Sequence, residues 1–169
     1  MAYTQPEPLA ERHFVDSFGC GEPALDDWLK RFARPAQASG SARTYVTTTD
    51  GRTVVGYYAL AATKVEAAEA TARLLKGEPK GRPVPAVLLA RLAVDRRHQG
   101  ASVGRSLLQD AVLRCLQASD SIGVRAMLVH AKHERARGWY ARYGFEASPT
   151  DPLHLMLLMK DLRAFVDRT

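Results

Sequence analysis

Two clusters in this chain have residue types and spacing suited to chemistry. The first is Gln99-Gly100-Ala101-Ser102-Val103-Gly104-Arg105, a glycine-bearing turn that follows the apolar run Leu92-Ala93-Val94 and opens an amphipathic segment. Peptide N–H groups at a helix start have no intrahelical partners, and with the helix dipole they favour an anion placed against them. Gly100 and Gly104 allow close backbone approach, while Arg96, Arg97 and Arg105 add positive charge, so the pattern predicts a phosphate-binding turn. A serine at position 102 is expected to hold a negative φ, as a residue at a helix start should. The second cluster is Trp139-Tyr140-Ala141-Arg142-Tyr143-Gly144-Phe145. It brings two phenols, each ordinarily protonated below a pKa of about 10 and so able to donate a proton. Because Trp139 adjoins Tyr140, one of the two must face inward.

The elements that position these clusters can be read from periodicity. A short first strand is expected around 13–18, then a helix opened by Pro23, with Leu25, Trp28, Leu29 and Phe32 forming one buried face. Residues 36–42 read as a mobile connection. Residues 44–49 and 53–61 are β-branched and aromatic, and Asp50-Gly51 between them is a hairpin signal. Residues 65–75 are alanine-rich and predict a helix, and the Pro- and Gly-punctuated stretch 76–85 predicts a basic loop. A strand over 86–94 enters the turn. Val103, Leu107, Leu108, Ala111, Val112, Cys115 and Leu116 then make a helical stripe over about 102–118. A strand at 124–130, a helix at 134–143 and a covered strand at 153–159 complete the pattern, with Leu162, Phe165 and Val166 docking a polar ending. The order β, α, β, β, α, β, α, β, α, β, with no repeat or linker, predicts a single domain over 1–169.

Composition narrows the partners. A formal charge of +6 makes an anionic partner plausible, and a phosphate-rich cofactor would account for part of it. Two cysteines without metal-ligand spacing fit a reducing cytoplasm, and Cys115 reads as a small buried hydrophobe. The longest apolar stretch, 84–94, is broken by Pro85 and Arg91 and is too short to span a bilayer, so a soluble protein with no membrane partner is expected. His130 and His133 lack a third ligand or an HExxH pattern, which favours surface or hydrogen-bonding roles and no metal site. A Rossmann reading fails on spacing, and a P-loop reading lacks the Gly-Lys-Ser/Thr end.

Taken together, the two clusters resemble the GNAT superfamily of acyl-CoA-dependent N-acyltransferases. Its pyrophosphate signature, Gln/Arg-x-x-Gly-x-Gly/Ala, matches 99–104 with Ser102 in place of a glycine, and its aromatic-Tyr-x-x-x-Gly-Phe block matches 139–145. The resemblance implies a mixed α/β fold, a central twisted, mostly antiparallel sheet of six to seven strands with helices on both faces. It implies acetyl-CoA as acetyl donor, held by Leu92, Ala93 and Val94 along the pantetheine arm and by Arg96, Arg97, Gln99, Gly100, Ala101, Ser102, Val103, Gly104 and Arg105 at the phosphates. The backbone N–H near Val94 would polarise the thioester, Tyr140 would protonate the departing sulfur, and Tyr143 would be the alternate phenol at the cofactor.

Phe18-Gly-Cys-Gly-Glu-Pro-Ala-Leu-Asp-Asp-Trp-Leu29 with Arg91-Leu-Ala-Val-Asp95 is similar to one subgroup, the bacterial GNAT toxins of toxin–antitoxin modules. This implies acetylation of the α-amine of aminoacyl-tRNA, a small ribbon-helix-helix antitoxin, and a homodimer. Lys30, Arg31, Arg34, Lys76, Lys80, Arg82 and Arg91 are the candidate tRNA contacts, since RNA duplexes are gripped largely through backbone charge and shape. Arg91 is the most pointed of them, a charge in an apolar strand that must face a cleft or a partner. A GNAT acting on a small amine or a protein N-terminus, and a non-catalytic acyl-CoA or nucleic-acid binder, are the competing readings.

Overall fold

The computed structural model describes residues 2–168. One sheet of seven strands carries the fold: β1 (Glu7–Pro8), β2 (Arg43–Thr48), β3 (Val54–Val65), β4 (Val84–Val94), β5 (Ala126–His130), β6 (Glu146–Ala147) and β7 (His154–Leu158), in the order β1-β2-β3-β4-β5-β7-β6. The β4–β5 pair is parallel, while β1–β2, β2–β3, β5–β7 and β6–β7 are antiparallel, in keeping with the mostly antiparallel sheet expected. Among the described residues six α-helices accompany it: α1 (Pro23–Arg31), α2 (Ala33–Ser39), α3 (Ala72–Leu75), α4 (Val103–Ser119), α5 (Glu134–Ala141) and α6 (Met159–Arg168). Among the described residues no helix is long and apolar enough to cross a membrane.

The chain divides into two compact units, one of residues 1–61 and 90–111, the other of 62–89 and 112–169, and the boundaries fall inside β3, β4 and α4. In the first unit the hairpin joins β2 to β3 as predicted. Gly51 takes φ +79°, and Asp50 Oδ1 accepts from the N–H groups of Arg52 and Thr53 at 2.8 and 2.7 Å. Leu9, Phe18, Leu25, Leu29, Val46, Tyr57 and Ala93 form its core, and burying α1 through two leucines contributes about 2 kcal/mol for each. At Gly56 on β3 the side chains of α4 come close to the strand. A Cβ there would lie 3.1 Å from Leu107 Cδ1 and 3.2 Å from Val103 Cγ1, so a side chain would push the helix start away from the strand.

In the second unit β5 is buried between β4, in register Ala86↔Ala126, and β7, in register Ala126↔Leu158. Leu74, Val84, Leu128, Met156 and Leu158 pack in its core. Arg73 clasps this unit from outside, bonding Glu146 and, at 2.9 Å, Asp161 on α6.

Four local expectations are corrected. Around 13–18 the only pairing is the bridge Phe14↔Thr53, because Glu7–Pro8 takes the edge position beside β2. The stretch 36–42 is mostly helical: Gly40 at φ +84° ends α2, and Gln37 ties it down by donating to Leu9 O at 2.7 Å and accepting from Thr44 N at 3.0 Å. β3 continues to Val65, so the alanine-rich segment holds only a 3-10 turn at Ala67–Glu69 and the short α3, capped by Thr71 Oγ1. Tertiary strand pairing overrides helix propensity there. Finally, Phe32 is exposed, since α1 stops at Arg31 before the apolar stripe closes.

Candidate active site

β4 delivers the chain to the turn, and Asp95 is the group that organises it. Its carboxylate is buried and accepts from Gly19 N at 3.0 Å, Arg97 N at 3.0 Å and Arg97 Nε at 2.9 Å. Burial by itself would raise its pKa, but the Arg97 guanidinium and the two N–H groups outweigh burial and hold it at about 2. The backbone joins in: Asp95 N donates to Val55 O at 2.9 Å and Arg96 N to Gly19 O at 2.8 Å. Gln99 Nε2 donates to both Val94 O (2.9 Å) and Cys20 O (3.0 Å), tying the strand end, the turn and the segment before α1 together. Tyr3 Oη lies 3.0 Å from His98 Nδ1 and completes the brace.

Gly100 has φ +84° and Ser102 φ +65°, both left-handed, on either side of Ala101. The expectation of a negative φ at Ser102 is therefore corrected. The chain must reverse from the extended Gln99 into α4 within three residues, and left-handed steps in such a turn gather successive N–H groups into a concave, anion-binding row. A serine in this conformation costs about 1–2 kcal/mol relative to glycine. Gly100, Ala101, Ser102, Arg96 and Arg105 are exposed, and a Cβ placed on Gly100 would meet nothing within 4 Å. An exposed turn with open space at Gly100, with Arg96 and Arg105 on either side of it in the chain, suits an anionic ligand. Val103 is buried and anchors the helix start.

Arg97 and Arg34 have other work. Arg97 is the cation that holds Asp95, and Arg34 donates to Ala10 O at 3.2 Å and His13 O at 2.6 Å, tethering the N-terminal segment. Arg31 pairs with Asp27 at 3.4 Å, whereas Lys30, Lys76, Lys80 and Arg82 are exposed. Arg91 is half-buried with its guanidinium carbon 4.4 Å from the centroid of the Trp28 ring. Leu92 and Val94 are half-buried and Ala93 is buried.

In the second unit, α5 carries the aromatic block. Tyr140 is 7% exposed, its ring edge-on to Trp139 (centroids 5.0 Å) and to Phe145 (5.5 Å). Burial pushes its phenol above the usual range, so the group is a proton donor at any cellular pH. Tyr143 is half-buried against Trp139 and Phe165, at 5.1 and 5.7 Å. Of the adjacent pair it is Tyr140 that faces inward. His133 Nδ1 accepts from Ala136 N and caps α5, and His130 stacks on His154 at 4.0 Å, so both histidines have structural roles. Exposed Lys132 and Arg142 flank the same helix, and exposed Arg135 lies in its first turn. Sequence reading passes over them, because charges on a helix surface carry no local signal of a role. It passes over Asp95 as well, because the bond from Gly19 N, 76 residues away in the chain, leaves no local signal.

Known proteins resemble this chain over nearly its whole length. The model of the acetyltransferase (GNAT) domain matches residues 40–147, and the chain belongs to that family. It is 52% identical over 164 residues, 97% of each chain, to the tRNA-acetylating toxin of Mycobacterium tuberculosis (strain ATCC 25618 / H37Rv). Among solved structures it is similar to AtaT complexed with acetyl-methionyl-tRNAfMet, with a TM-score of 0.87 at 28% identity over 96% of this chain and 98% of that one. A Tyr-to-Phe mutant of AtaT bound to the C-terminus of the antitoxin AtaR and acetyl-CoA gives a TM-score of 0.82 at 25% identity, covering 99% of both chains.

Proposed function

We propose that the protein transfers the acetyl group of acetyl-CoA to the α-amino group of an aminoacyl-tRNA and so acts as a translation-blocking toxin. The observation that carries this is the 52% identity, spanning 97% of both chains, with a tRNA-acetylating toxin. The whole chain, 1–169, acts as one catalytic domain in this reading. Acetyl-CoA supplies a thioester whose carbonyl carbon the amine attacks. An α-amine titrates near 8 even in a peptide, and lower beside an ester, so much of it is neutral without a dedicated base.

The turn residues Gly100 to Gly104, with Arg96 and Arg105, hold the phosphates. Leu92 to Val94 align the pantetheine arm, and the N–H near Val94 stabilises negative charge on the thioester oxygen as the C–N bond forms. When the C–S bond breaks, its electron pair leaves on sulfur. Tyr140 donates a proton there, and the surplus proton of the new amide nitrogen restores the phenol. Tyr143 supports the aromatic wall. Arg97, Gln99 and Ser102 serve the turn's geometry.

Lys30, Arg31, Lys76, Lys80, Arg82 and Arg91 remain candidate tRNA contacts, joined by Lys132, Arg135 and Arg142. An antitoxin partner is supported by the AtaT–AtaR complex, and family resemblance supports a ribbon-helix-helix antitoxin, a homodimer and a cytoplasmic location. The test is incubation with radiolabelled acetyl-CoA and bulk aminoacylated tRNA. Label should enter charged tRNA and be released with the amino acid when the ester is hydrolysed by base. Label confined to free amines or protein would overturn the reading.

A further inference from the structure

One cation of the first unit has no anionic partner among the described residues. Arg91 on β4 is half-buried, and its guanidinium lies close enough over Trp28 for a cation–π contact, 4.4 Å from the ring centroid. Trp28 is stacked in turn on Tyr57, 6.1 Å away and inclined by 10°. Tyr57 is fixed by its hydroxyl, which donates to Leu25 O at 2.7 Å, and by the edge of Phe18 at 5.5 Å. This column holds the arginine in place.

Neighbouring carboxylates of the unit are committed elsewhere. Asp26 accepts from Cys20 N at 2.8 Å, Asp27 pairs with Arg31, and Asp95 is taken by Arg97 and Gly19. Five N–H donors on a rigid fork therefore have the indole face beneath them and no anion among the described residues. A half-buried guanidinium whose face is stacked and whose N–H edge is unpaired is preorganised to take an anion.

Strand geometry selects what that is. Arg91 precedes Val94 by three residues, about 10 Å of extended chain, and lies farther still from Gln99. The donor's phosphates belong at the turn, so an anion at Arg91 lies beyond the thioester end of the pantetheine segment, where the acceptor enters. In an aminoacyl-tRNA the nearest anion to the reactive amine is the last phosphodiester, joined to it through one ribose and the ester.

We infer that Arg91, held on Trp28, binds the 3′-terminal phosphodiester of the aminoacyl-tRNA and so positions the α-amine at the thioester. This rests on the tRNA reading above. The guanidinium edge meets two phosphate oxygens, while its face stays on the indole.

The experiment compares the full-length protein with R91Q, R91K and W28A, each checked for a wild-type melting temperature. Its readouts are kcat and KM for bulk aminoacylated tRNA over a range of salt concentrations, and Kd for acetyl-CoA by calorimetry. R91Q should raise KM for tRNA about tenfold or more, because a charge-assisted contact is lost. It should also flatten the slope of log KM against log salt by about 0.7, the loss of one single-stranded phosphate contact. R91K should keep that slope and recover part of KM, and W28A should fall between the two. Acetyl-CoA Kd should not move. A folded R91Q with wild-type KM and salt slope overturns the inference, as does a loss confined to acetyl-CoA affinity, which would assign the anion to the donor. If the wild-type protein labels no charged tRNA, the functional reading itself fails instead.

Discussion

In the proposed reaction the turn and the aromatic block meet opposite chemical demands by opposite means. The turn is exposed at Gly100, Ala101 and Ser102, and what holds it is polar: a buried carboxylate bonded to Gly19 and Arg97, and one glutamine amide shared between two carbonyls. The aromatic block hides its functional group, with Tyr140 buried among the edges of Trp139 and Phe145. Anion binding needs donors presented to solvent, whereas a phenol that must stay protonated gains from dehydration. The first region is thus held by hydrogen bonds, both local and to the distant Gly19 and Cys20, and the second by packing.

Substitution should separate the two. The largest effect is expected at Tyr140→Phe, which preserves the packing and removes only the hydroxyl. Turnover should fall on the order of 100-fold while acetyl-CoA affinity and melting temperature stay near wild type. An unchanged kcat would remove Tyr140 from its role.

Asp95→Ala should act the other way, on structure first. Its carboxylate has a pKa of about 2 against 3.8 for the ordinary group, which corresponds to about 2 kcal/mol of stability. Because the folded pKa is the lower one, that stability is present above pH ~4 and lost as pH falls toward about 2. The variant should therefore unfold at lower denaturant at neutral pH, bind acetyl-CoA more weakly, and lose less stability than wild type over that acid range. Denaturant titrations at about pH 7 and about pH 3 read the stability differences, and calorimetry reads the affinity. Equal acid sensitivity in the two proteins would show that Asp95 does not brace the turn.

The smallest effect sharpens the comparison most. Ser102→Gly should raise stability by about 1 kcal/mol, since glycine adopts the left-handed conformation without the Cβ penalty, while Ser102→Ala should not. Thermal melts of the pair decide whether the turn carries backbone strain.

Much of this is legible in the sequence, and the exceptions share a cause. The hairpin at Asp50-Gly51, the α4 stripe and the two motif clusters are local patterns, and each lies where periodicity and turn chemistry put it. The end of β3, the helical state of 33–39 and the conformation of Ser102 are decided by partners far along the chain. Val65 follows its strand, Gln37 bonds Leu9 and Thr44, and Ser102 follows the reversal between β4 and α4. Arg34 and Arg97 look like ligand-binding cations because charge is visible in sequence; the carbonyls and the carboxylate that occupy them are not.

The contact between Tyr3 and His98 has a practical corollary for anyone producing this protein. Tyr3 sits against His98 at the entry to the turn, so in the proposed reaction a purification tag fused ahead of it would emerge beside the donor's phosphates. A polyhistidine or other charged fusion there should compete with the ligand or shield it, and kinetic constants for the cofactor are better taken from untagged material.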